Sequence, residues 1–240
     1  MAYKNITLTD ANAGDYSYQE AIKTLRTNLQ FSGKSNKVIL MTSSRGGEGK
    51  SDIAFHLAKE IGKAGKKVLL VDADIRKSVY KSQYNIKEET QGLSQYLSGQ
   101  EEHIDQVVYK TNFDNLYLIL AGPYAPNPTE ILGDDQFGQL LKAARQVFEY
   151  VIVDTPPLGI VVDAAIIAQY CDGAVLVVES GETSFRACQK IKVQLERSGC
   201  KLLGAVLNKV GVDEKGSQTT RYGRRNAKQY AHYYGNSSEG

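Results

Sequence analysis

The 240-residue chain has no tryptophan, only five prolines and three cysteines, and no surplus of either charge, with 29 Lys and Arg against 27 Asp and Glu. Each shortage excludes something. Cys171, Cys188 and Cys200 are odd in number and widely spaced, which fits neither a disulfide framework nor a zinc pattern; reduced, partly buried thiols are expected. A formal charge of +2 argues against a protein held to nucleic acid by bulk charge, so no nucleic-acid partner is expected. Apolar runs are strand-sized, as at 38–41, 116–121 and 174–178, and none approaches the roughly 18–20 residues that span a bilayer. The polar start Met1-Ala-Tyr-Lys-Asn5 has no signal-peptide core. A soluble cytoplasmic protein is the expectation.

What the chain has in quantity is tyrosine, 15 against 6 phenylalanines. Tyr222, Tyr230, Tyr233 and Tyr234 crowd into the C-terminal stretch, among Gly, Ser, Asn and Arg and without apolar companions. That setting suits core packing poorly, so 211–240 reads as a flexible tail following one domain over 1–210. The other eleven tyrosines read as structural.

Within 1–210, Ile22, Leu25 and Leu29 recur at helical spacing and predict a helix over about 17–31. Strands are predicted at 37–42, 67–72, 116–121, 150–154, 174–178 and 202–208, with a helix at 51–63 and short helices near 92–98 and 101–109. Nearly continuous apolar strands alternating with helical patterns indicate an α/β fold, a mostly parallel central sheet flanked by helices on both faces.

Ser44-Arg-Gly-Gly-Glu-Gly-Lys-Ser51 follows a strand and opens a helix, and matches the phosphate-binding loop apart from Ser44 in place of the first glycine. Arg45, Gly46, Gly47, Glu48, Gly49, Lys50, Ser51 and Asp52 are the nucleotide-binding candidates. Glycines allow the backbone to wrap phosphates with its N–H groups inward, and the helix start adds a favourable dipole. Lys50 can reach the β- and γ-phosphates, and the Ser51 hydroxyl can ligate Mg²⁺. Asp52 sits awkwardly. A carboxylate so close to the α-phosphate position repels the nucleotide unless it points away in the first helical turn, where an acid is favourable; Asp52→Thr is expected to tighten ATP binding.

Asp72 and Asp74 follow one apolar strand and Asp154 ends another, where open α/β sheets bind ligands. Any one of them could be a turn former. Three beside a phosphate loop suit a Mg²⁺ held by Ser51 and carboxylates, with one carboxylate left to take a proton from a hydroxyl.

The motifs Asp72-Ala-Asp74-Ile-Arg-Lys, Asp154-Thr-Pro-Pro and Gly122-Pro-Tyr-Ala-Pro-Asn-Pro-Thr-Glu130, with the tyrosine-rich tail, resemble the bacterial tyrosine kinases (BY-kinases) over most of the chain. The resemblance implies a P-loop NTPase fold, Mg²⁺ and ATP, and trans autophosphorylation of the tail acceptors Tyr222, Tyr230, Tyr233 and Tyr234 in control of capsule and exopolysaccharide synthesis. It assigns Lys50 and Asp72 as catalytic, Asp72 as base, with Ser51, Asp74 and Asp154 on the metal. It also implies a membrane-anchored activator whose cytoplasmic segment recruits the kinase to the membrane, an antagonistic tyrosine phosphatase, and a homo-oligomeric ring, an octamer among the sizes it allows. Glu20-x-x-Lys23-x-x-Arg26 resembles the family's Glu-x-x-Arg-x-x-Arg oligomerisation helix. Read alone, those charges make an ordinary solvated face. The Lys23 ammonium is a weaker bidentate partner than the usual Arg.

Two other readings compete. Arg45-Gly-Gly-Glu-Gly-Lys50 approaches the loop of the partitioning ATPases, and Asn208-Lys209 at a strand end suits adenine recognition by an amide. Asn208 therefore joins the nucleotide-binding candidates. A nucleotide-sensing scaffold of weak activity is the third reading. The missing signature lysine and the tyrosine tail favour the kinase.

Overall fold

The computed structural model describes residues 3–11 and 16–210. The tail acceptors Tyr222, Tyr230, Tyr233 and Tyr234, and the division at 210/211, lie outside the described residues. Eight strands form one sheet: β1 (Lys4–Ile6), β2 (Val38–Ser43), β3 (Val68–Asp72), β4 (Val108–Thr111), β5 (Leu116–Ile119), β6 (Tyr150–Asp154), β7 (Gly173–Glu179) and β8 (Leu202–Asn208). Their order is β1-β4-β5-β3-β6-β2-β7-β8, and every neighbouring pair is parallel except β4 with β5.

Alternation along the central strands explains the layering. Ile39 and Met41 point to one face and Val38 and Leu40 to the other, all at most 1% exposed. Over the first face lie α1 (Tyr16–Phe31), α2 (Lys50–Lys63) and α3 (Tyr80–Gln83), which bury Ile22, Leu29, Ile53, Leu57, Ile61 and Tyr80. The second face carries α4 (Leu93–Leu97), α5 (Pro128–Gly133), α6 (Asp135–Val147), α7 (Asp163–Ala168) and α8 (Phe185–Arg197), with Phe137, Leu140, Ile167, Ile191 and Leu195 turned inward. Complete burial of each such side chain contributes about 1.5–3 kcal/mol.

One prediction fails. The stretch 101–109 is not a short helix but a 3-10 turn, Ile104–Gln106, leading into β4. Val107, Val108 and Tyr109 are only 0%, 4% and 2% exposed, and a β-branched and aromatic run of that kind packs better in a pleated strand than on a helix. The three-residue β1, paired with β4, is too short to show a period in sequence.

Strands β3, β6 and β2 lie side by side, and their carboxyl ends feed the loops 73–79, 155–162 and 44–49. Asp72 on β3 is the register partner of Asp154 on β6, and Met41 on β2 pairs with Asp154 as well. The sheet itself sets these groups next to one another.

Candidate active site

The loop between β2 and α2 is shaped by Glu48. Gly47 and Gly49 hold φ at +83° and +84°, the left-handed region where a side chain is strained. At Gly49 a Cβ would also lie 2.2 Å from the Asn208 amide nitrogen. Glu48 is 1% exposed, and its carboxylate turns back into the loop. It accepts from the Ser44 amide at 2.6 Å, the Arg45 amide at 3.0 Å and the hydroxyls of Ser44 and Thr183. Burial pushes this carboxyl up, but those hydrogen bonds outweigh it and hold it below the usual range. The Asn208 amide donates to the Glu48 carbonyl at 2.9 Å, tying the end of β8 to the loop. Arg45 reaches sideways to Glu179 and Glu182 at 3.1 and 3.3 Å.

Lys50, Ser51, Asp72 and Asp154 converge beneath this loop. The Lys50 ammonium pairs with Asp154 Oδ1 and lies 3.1 Å from the Ser51 hydroxyl. Asp72 and Asp154 are both fully buried. Asp72 accepts from the Ser78 hydroxyl and, at 3.3 Å, from the Ala121 amide. Burial and the neighbouring Asp154 charge push the Asp72 carboxyl up to about 8, against the pull of Ser78 and Lys50. Asp74, half-buried, is also raised by burial; its Oδ1 accepts from the Lys77 amide at 2.9 Å, which bends the chain away from β3. Arg76 then forks onto buried Asp163 at 2.6 and 3.0 Å, fixing this loop to α7.

Tyr80 is the residue that sequence reasoning missed. Its ring is buried, and its hydroxyl lies 3.1 Å from both Asp154 Oδ2 and the Ser51 carbonyl. Burial and the charges of Asp154 and Asp72 keep the phenol protonated far above its ordinary range. It is thus a fixed neutral donor to the carboxylate that ends β6, and more than the structural tyrosine expected. Ser78 was missed likewise. Neither belongs to a motif, and only the nearby Asp72-Ala-Asp74 hints at them.

The remaining candidates are engaged elsewhere. Asp52 points away from the loop, accepting from Tyr18 at 2.7 Å and Gln83 at 3.1 Å and lying 3.4 Å from His56 Nδ1. Burial would raise its carboxyl; hydrogen bonds from His56 and Tyr18 prevail and lower it. On α1, Lys23 pairs with Glu20 at 2.6 Å and Arg26 with Glu60 of α2 at 3.3 Å.

The oxygen donors of Ser51, Asp72, Asp74 and Asp154 are of the hard type that suits Mg²⁺. Among the described residues no three His, Cys, Asp or Glu side chains form a metal cage. Also among the described residues, no helix is long and apolar enough to cross a membrane.

A family model described as an AAA domain matches residues 36–197. The tyrosine-protein kinase CpsD of Streptococcus agalactiae is 44% identical over 192 residues, covering 80% of this chain and 83% of its own length. The solved kinase domain of the Escherichia coli tyrosine kinase ETK superposes with a TM-score of 0.79 at 31% identity, covering 93% of this chain and 87% of that one. The cell division ATPase MinD of Pyrococcus furiosus has a TM-score of 0.65 at 23% identity, covering 81% and 80%, a likeness of fold.

Proposed function

The chain belongs to the bacterial tyrosine kinases, and from that premise we propose that it moves the γ-phosphoryl group of Mg-ATP onto Tyr222, Tyr230, Tyr233 and Tyr234 of a second copy. The observation that carries this reading is the buried Asp72–Asp154 pair facing a single lysine. A tyrosine hydroxyl has a pKa near 10 and stays protonated at neutral pH, so its transfer chemistry benefits from a carboxylate in reach. Asp72, which accepts from the Ser78 hydroxyl and the Ala121 amide, is the carboxylate assigned that role in this reading.

Nucleotide binding requires Lys50 to leave Asp154 for the phosphates. Glu48 takes the Ser44 and Arg45 amides, and the remaining N–H groups of the glycine-rich loop would face the same phosphates. Ser51, Asp154 and Asp74 would hold Mg²⁺, which when bound neutralises charge on the β- and γ-phosphates. Tyr80 keeps Asp154 aimed while Lys50 moves off. A cation held by Asp154 in place of Lys50 would also lower the cost of ionising Asp72, the proposed base.

By the same reading the kinase acts in capsule or exopolysaccharide synthesis. It assembles as a ring through α1, is held at the membrane by an activator with a cytoplasmic segment, and is reversed by a tyrosine phosphatase. The test is direct: purified protein is incubated with Mg-ATP, with and without an activator segment, and phosphate is mapped by mass spectrometry. Tail phosphotyrosine that disappears in Lys50→Met is expected. ATP turnover without phosphotyrosine, even with the activator, overturns the kinase reading.

A further inference from the structure

Helix α8 buries Ile191 and Leu195 and turns another face outward. Between that face, the Leu158-Gly159 loop and Ser44 runs a groove of about 730 Å³. Arg186, Lys190 and Arg197 line it, spaced so that they share one side of the helix. None of the three makes an ion pair among the described residues, whereas Lys192 on the flank pairs with Glu196 at 3.7 Å. Apolar surface accompanies the charge: Leu158, Ala187 and Val193 line the groove, Val193 being 42% exposed. Unpaired cations beside apolar surface suit a ligand that carries both anions and rings.

The chain itself supplies such a ligand. The Ser180 amide donates to the Asn208 carbonyl at 2.9 Å, so β8 ends beside the turn that enters α8. The 12 residues from Val210 to Tyr222 can span up to about 40 Å, against about 17 Å along the helix from Arg186 to Arg197. Residues 211–240 carry five basic and three acidic side chains, the same sign as the groove, which disfavours docking. Four phosphates add about −6 to −8 and reverse that sign.

We infer that the groove along α8 docks the phosphorylated form of this chain's own tail. The inference rests on the function proposed above. Each phosphate would pair with Arg186, Lys190 or Arg197, and the tyrosine rings would lie on the apolar surface between them. A docked tail is withdrawn from Lys50 and Asp72, so the product of the reaction is stored at the flank of the enzyme rather than in its site.

The test uses the full chain after phosphatase treatment and a synthetic fluorescent peptide of residues 218–236, with all four tyrosines phosphorylated or none. Fluorescence anisotropy should give at least tenfold tighter binding for the phosphorylated peptide, weakening as salt rises. The double variant Arg186→Glu/Lys190→Glu should bind it no better than the unphosphorylated form, with an unchanged melting temperature. Three results overturn the inference: equal binding of both peptides, binding that survives the double variant, or equal affinity for a polyglutamate peptide of matched charge, which would point to an acidic partner instead. Because the peptide is made synthetically, a chain without kinase activity still returns an answer. Kinase activity without peptide binding overturns only the docking.

Discussion

Helix α2 contributes to two groups of buried charge that behave in opposite ways. Near its start, Lys50 faces two fully buried carboxylates, Asp72 and Asp154, and Asp72 is driven up to about 8. One to two turns further on, His56 and Lys59 face Asp10 and Asp52: His56 lies 3.3 Å from Asp10 and 3.4 Å from Asp52, and Lys59 pairs with Asp10. There the shifts favour the charged forms. Burial would lower His56, yet Asp52 and Asp10 raise it, and Asp52 itself is lowered against its burial. The second group balances acids with bases, whereas the first is short of positive charge and holds a proton on Asp72 for want of it. An internal ion cluster that completes itself serves the fold; one left short of a cation is shaped for a ligand that brings one.

Asp72→Asn should show the largest effect. Tail phosphorylation should fall by about 10²–10⁴, the usual worth of a positioned base, as read by quantitative mass spectrometry. The same variant should make the nucleotide-free protein more stable, by about 3–6 °C for one to two kcal/mol in a chain of this size. The sign follows from linkage. The folded-state pKa of Asp72 lies above its unfolded value of 3.8, so its contribution is fully present below about 4 and lost as pH rises toward 8. The gain from Asn should therefore grow between pH 5 and 8 in thermal melts. A lower melting temperature at pH 8 would break the contrast between the groups.

Tyr80→Phe keeps the ring and its packing against Tyr84, at 5.7 Å between centroids, and deletes only the donor to Asp154 and Ser51. Its stability cost should be about 1 kcal/mol. The sharper readout is metal: the Mg²⁺ concentration for half-maximal activity should rise by about threefold to tenfold, as about 0.7–1.4 kcal/mol of aim is lost on Asp154. An unchanged Mg²⁺ dependence would leave Tyr80 a packing residue.

The second group predicts the reverse pattern. His56→Gln should cost about 1–3 kcal/mol in denaturant unfolding near pH 6, while activity per folded molecule is kept. His56 is raised above its ordinary 6.5 by Asp52 and Asp10, with Tyr18 and Lys59 as its other polar neighbours. Its contribution is present below 6.5 and lost as pH rises through the folded value, so His56→Gln should flatten that part of the stability profile. Loss of activity in the folded variant would join the two groups into one site.

The phosphate loop, the acidic strand ends and six of the eight strands are legible in sequence because each rests on local pattern: glycine spacing, or a short apolar run closed by an acid. What sequence hides is the partner of each group. Glu48 stands within the loop motif, yet its carboxylate serves the loop's own amides and also accepts from Thr183 in the turn after β7. Tyr80 meets Asp154 across 74 residues of chain, and no spacing rule spans that distance. On α1, Lys23 pairs with Glu20 and Arg26 with Glu60 of α2, partners that periodicity could locate on a face but not assign. Strand β4, with four residues, is too short to establish a period, and the helical expectation over 101–109 fails there.

Asp52 gives the smallest expected effect and the most discriminating one. A carboxylate about 6 Å from a phosphate charge would cost roughly 2.8 kcal/mol at an effective dielectric of 20, about a hundredfold in affinity. In the structure that carboxylate instead accepts from Tyr18 and Gln83 beside His56. Asp52→Thr should therefore leave the Kd for ATP within about twofold, since the charge removed is already countered by its neighbours. A threonine hydroxyl on so short a stem cannot replace both contacts, so the melting temperature should fall by about 2–4 °C. Isothermal titration and a thermal melt on the same preparation decide the matter: ATP binding tightened tenfold or more would transfer Asp52 from the self-balanced group to the nucleotide site.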